Sequence, residues 1–77
     1  MLINLTQLSP GQTGIINQIQ GGDGVTRRLH TIGLREGKQI TKLSSHFWRG
    51  PQTVIIDNFQ IAVGFGMAKK IIVEILE

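Results

Sequence analysis

Ten glycines and two prolines punctuate this 77-residue chain. The pieces between them are short, and most carry the β-branched residues and alternation of strands. That segmentation is incompatible with a bundle of long helices and favours several brief strands joined by tight turns. A chain of this length makes one domain, spanning 1–77, with a thin core. It has no cysteine, so neither a disulfide nor a thiolate-bound metal can brace it. Its stability has to come from dense packing of Ile, Val and Leu, or in part from self-association.

Asn4 to Leu8 lead into the turn signal Ser9-Pro10-Gly11, with Leu5 and Leu8 expected to cover one end of the core. Gly14 to Gln20 reads as the first full strand. Ile15 and Ile19 fall on one of its faces and Ile16 on the other, an imperfection that a bulge or two-sided burial would explain. Gly21 to Gly24 break that strand. Asp23 is expected to cap a following helix, whose apolar face is Val25, Leu29 and Ile32 and whose end is Gly33. Further strands are expected over Lys38 to Ser45, with Ile40 and Leu43 inward, over Thr53 to Asp57, and over Phe59 to Phe65. Asp57-Asn58 suits the tight turn between the last two. After one helical turn at Gly66 to Lys69, Ile71 to Leu76 closes the chain as a strand apolar on both faces. Five strands and one capping helix describe a small closed barrel, mainly β.

The charge balance is eight Lys or Arg against five Asp or Glu, a net +3. This suits an acidic partner but falls short of the dense basic stripe of a dedicated nucleic-acid binder. No apolar run approaches the roughly 20 residues needed to cross a bilayer. Met1 to Pro10 lack the basic and apolar regions of a signal peptide, so a cytoplasmic protein is expected. Catalysis finds no support: Cys and Tyr are absent, and no Ser, His and Asp stand in a recognisable nucleophile arrangement. The glycines at 21 to 24 lack the Lys-Ser/Thr of a phosphate loop and read as a turn.

The segments Gly21-Gly22 through Arg27-Arg28-Leu29 to Ile32-Gly33-Leu34, Gly37 with the strand around Ile40, and the hairpin Val54 to Val63 with Met67 to Lys70 and the closing strand together resemble the FeoA (ferrous iron transport protein A) family. The resemblance covers Leu5 to Ile75. It implies an SH3-like barrel and an accessory, non-enzymatic role in bacterial ferrous iron uptake. The implied partner is FeoB, the membrane transporter with a cytosolic GTP-binding domain. The same fold is similar to the C-terminal domain of iron-dependent repressors of the diphtheria toxin repressor type. The chain departs from the FeoA pattern at His46-Phe47-Trp48-Arg49, where relatives carry a smaller loop.

Six residues are therefore candidates for partner binding. His46, Phe47, Trp48 and Arg49 form a loop rich in interface-prone residue types, set against the alternative that one aromatic simply plugs the barrel. Arg27 and Arg28 lie off the apolar helix face and could hold an acidic group, set against an ordinary solvated helix face. His30 and His46 are the only histidines, in different elements, with no carboxylate at a ligand spacing. No cofactor is expected, and a transition metal ion stands only as a weaker alternative. Two other functions stay open: a small basic barrel on which Phe47 and Trp48 stack nucleic-acid bases, and a detached metal-sensor domain.

Overall fold

A computed structural model of the chain describes residues 1–45 and 49–76. Strand β1 (Leu2–Asn4) runs into a short 3-10 turn, Leu5–Gln7. Then follow β2 (Thr13–Ile19), α1 (Gly22–Thr31), β3 (Gln39–Ser45), β4 (Gln52–Ile56), β5 (Phe59–Val63), the single-turn α2 (Phe65–Ala68) and β6 (Ile71–Ile75). All pairings are antiparallel, in the order β1-β6-β2-β3-β4-β5. The five expected strands are present, and β1 adds a brief sixth at one edge. The boundaries move slightly: β5 ends at Val63, and Phe65 belongs to α2.

The sheet wraps one core, in which Leu5, Leu8, Ile16, Leu29, Leu34, Ile40, Val54, Ile71 and Val73 are all but inaccessible. Each such aliphatic side chain contributes about 1.5–3 kcal/mol relative to exposure. The irregular spacing in β2 has the cause anticipated. The register against β6 shifts between Ile16 and Gln18, so Ile16 and Ile19, three apart, both point inward while Ile15 is only half-buried.

Strand β3 corrects the sequence reading. Leu43 is 37 % exposed, and the inward partner of Ile40 is Lys42, with no accessible surface. Strict alternation puts residues 40 and 42 on one face, and the register against β4 shifts between Lys42 and Ser44, which leaves Leu43 outside. The Lys42 ammonium donates to the carbonyl oxygens of Leu5 at 2.7 Å and Leu8 at 2.8 Å. A buried lysine thus ties the 3-10 turn over the mouth of the barrel. Desolvation pushes its pKa below the ordinary lysine value.

Helix α1 also differs at its start. The N-cap is Gly21, in a left-handed conformation, with no side-chain cap, and Asp23 sits inside the first turn. There its carboxylate still complements the positive end of the helix. The far end is as expected. Gly33 has φ +98, its N–H donates to His30, and Leu34 N–H reaches back to Leu29 C=O at 2.9 Å. This is a Schellman cap, sealed by the buried pair Leu29 and Leu34. The cap turns the chain so that Ile32, expected in the core, is 46 % exposed instead.

Candidate docking face

The turn between β4 and β5 has only two residues, Asp57 and Asn58, with φ of 50 and 68. Paired positive φ values give the strand twist a tight hairpin needs. Asp57 is further tied to the start of β3 by an ion pair with Lys38, 2.7 Å long. This hairpin stands opposite the C-terminal end of α1. Between them lies a groove of about 450 Å³, with Ile32 and Gly33 on the helix side and Ile56, Phe59 and Ile61 on the hairpin side. Phe59 is 70 % exposed, an unusual position for so large an apolar ring.

A second, more open concavity of about 370 Å³ adjoins it, formed by Asp23, Thr26, Arg27, His30, Thr31 and Arg35. Thr31 borders both. Arg27 and Arg28 are exposed on α1, as expected, and only Arg27 lines this hollow. His30 Nε2 lies 2.8 Å from Glu36 Oε1. The fold therefore supplies the carboxylate that sequence spacing did not. Hydrogen bonding to backbone first, and to the imidazole second, holds the Glu36 carboxyl below the ordinary carboxylate range. Among the described residues, no three His, Asp or Glu side chains come together as a metal-binding group.

Arg49 is exposed and has φ 64. It belongs to the connection between Ser45 and Gln52, at the opposite end of β4 from the Asp57-Asn58 turn. His46, Phe47 and Trp48 lie outside the described residues. Arg49 and the groove beside α1 thus lie toward opposite ends of β4, and α1 is joined by Ile32 and Phe59, which sequence reasoning had not marked as functional. An aromatic placed directly after a two-residue turn, on a strand continuing with Gln60, was the available signal.

Among the described residues, six antiparallel strands wrapped around one core and covered by a short helix, with an apolar groove beside a basic hollow, define a small SH3-like barrel. The FeoA domain model matches residues 3–75, and the chain belongs to the FeoA family. It is similar to a crystal structure of the iron uptake regulatory protein FeoA, at 32 % identity and TM-score 0.90, covering 99 % of both chains. It is similar in fold to FeoA of Stenotrophomonas maltophilia, solved in complex with zinc, at 20 % identity and TM-score 0.78, covering 94 % of this chain and 89 % of that one. A manganese-dependent transcriptional repressor shares the fold at 25 % identity and TM-score 0.88, over 97 % of this chain and 42 % of the repressor. No curated protein matches the chain. Membership of the family gives the chain a role in ferrous iron transport, in an accessory family that is not a known family of enzymes. Among the described residues, no helix is long and apolar enough to cross a membrane.

Proposed function

We propose that this chain is a cytoplasmic docking protein that regulates or scaffolds FeoB, the ferrous iron transporter with a cytosolic GTP-binding domain. The observation that carries this reading is a whole-chain FeoA barrel whose outer surface offers an exposed aromatic in a groove beside a basic hollow. Such a surface suits recognition of another protein, because a partly exposed aromatic loses water on contact and arginine adds directional bonds. Arg27, Arg28 and the loop from His46 to Arg49 are the contacts to test first.

The purified chain, mixed with the cytosolic part of FeoB, should associate with it or change its rate of GTP hydrolysis. Absence of association, of any change in hydrolysis and of any effect on iron uptake overturns the proposal. Trp48→Ala and Arg27→Glu variants report which end of the barrel makes the contact. A second reading, a detached metal-sensor domain, draws on the similarity to the manganese-dependent repressor. It requires iron- or manganese-dependent binding to a repressor.

A further inference from the structure

Strand β5 is an edge strand: it pairs with β4 and with no other strand among those described. In a two-residue hairpin, Ile56 and Phe59 exchange both ladder bonds, and hydrogen-bonded and open pairs then alternate. Gln60 and Ala62 therefore turn their N–H and C=O groups away from β4, toward the open edge, and both residues are exposed. Phe59, Ile61 and Val63 share the other set of positions, on the face that grades from the groove into the core. Beside the groove, Arg27 and Arg35 have no salt-bridge partner among the described residues, against one unpaired carboxylate nearby, Asp23.

We propose that this face captures an extended acidic segment of a partner protein, which adds a strand to the free edge of β5. One apolar side chain enters the groove between Ile32 and Phe59, and a carboxylate reaches Arg27 and Arg35. This inference rests on the docking reading above and names the surface and the peptide chemistry. The spacing is consistent. Thr31, shared by the two concavities, stands four residues from Arg27, about 6 Å along the helix. Two residues of a strand rise about 6.6 Å and return to the same face. The recognised pattern is thus an apolar residue with Asp or Glu two positions away. Backbone pairing supplies the general attraction, and the two side chains supply the choice. A second copy of this chain is the poorer occupant. Its net charge is also +3, and pairing through its own β5 edge would bring the same Arg27 and Arg35 hollow to a face that is already basic.

The test begins with selection from a displayed library of random eight-residue peptides against the full chain. Selected peptides should carry the apolar-x-acidic pattern and should shift the backbone amides of Gln60, Ala62 and Thr31 to Gly33 in NMR titration. The double variant Arg27→Glu, Arg35→Glu should weaken them at least ten-fold. Phe59→Glu and Ala62→Pro, both changes at exposed edge positions, should do the same while leaving the remaining spectrum folded. No enrichment, enrichment of another pattern, shifts centred on Arg49, or insensitivity to the arginine reversal overturns the proposal. So does concentration-dependent dimerisation abolished by Phe59→Glu, or displacement of the chain's ligands by an oligonucleotide alone. If FeoB still binds when peptide selection fails, this surface is wrong and the proposed function stands. If selection succeeds and FeoB does not bind, the reverse holds.

Discussion

Replacing Lys42 by methionine keeps most of the side-chain stem in the core and removes the ammonium that bonds Leu5 and Leu8. Leu5 C=O retains a second donor, the N–H of Leu8 at 3.2 Å. Leu8 C=O has no other partner among the turn and side-chain bonds, so it becomes a buried acceptor without a donor. Such an orphan costs about 1–3 kcal/mol. Working against this, methionine escapes the desolvation that an ammonium suffers in the core, the same effect that lowers the Lys42 pKa. The orphaned carbonyl and the loosened 3-10 turn are expected to win, with a net loss of about 1–3 kcal/mol. In a domain of this size that lowers Tm by on the order of 5–20 °C.

The pH dependence separates the two contributions. The folded-state pKa of Lys42 lies below its ordinary value of 10.5. Between those two values the unfolded chain binds more protons than the folded one, so stability rises with pH in that window. Neutral lysine still has two N–H groups for the two carbonyls, so neutralisation relieves desolvation without breaking the tie. Urea unfolding of wild type should show this alkaline rise, and Lys42→Met should lack it. A methionine variant as stable as wild type at neutral pH, or one that keeps the rise, refutes the reasoning and reduces Lys42 to a replaceable filler.

Three further outcomes follow from the packing and electrostatics. Gly14→Ala should destabilise by about 1–3 kcal/mol in thermal unfolding, because the new Cβ would lie 2.9 Å from the Glu74 backbone oxygen across β2 and β6. Glu36→Gln should flatten acid unfolding: the native carboxylate contributes stability present above its ordinary pKa of 4.5 and lost as pH falls through its lower folded-state value, a loss the glutamine variant cannot show. Phe59→Ser should leave stability within about 0.5 kcal/mol in the same urea assay, since the ring is 70 % exposed.

The fold was legible because glycine punctuation, the Asp57-Asn58 turn and the apolar alternation of β4 all pointed to one answer. Gly33 was legible as a cap for the same reason: a helix end that needs φ > 0 favours a residue without Cβ. Errors arose where a local rule met a register shift. Leu43 is the more hydrophobic neighbour of Lys42, but the backbone at residues 42 to 44 decides which one faces in, and only the pairing with β4 fixes that. Ile32 fitted the helical face until the Schellman turn carried it past the last turn of α1. The groove was beyond sequence reach altogether, because Ile32 and Phe59 belong to separate elements and meet only when β5 becomes an edge strand facing the end of α1.

Burial of Lys42 also changes what the charge balance means. Composition counts eight basic residues against five acidic ones as if all faced solvent. With Lys42 sealed inside, seven remain to meet a partner, and two of these, Lys38 and the His30-side arginine neighbour Arg35, differ in kind: Lys38 is spent on Asp57, while Arg35 has no such pair. A dispersed net exterior charge of +2 is a poor match for a polyanion, whose affinity grows with the number of phosphates neutralised. It is ample for one or two carboxylates held beside an apolar anchor. The barrel therefore spends one cation on its own architecture, and under the docking proposal its remaining arginines suit a partner whose acidic groups are few and placed.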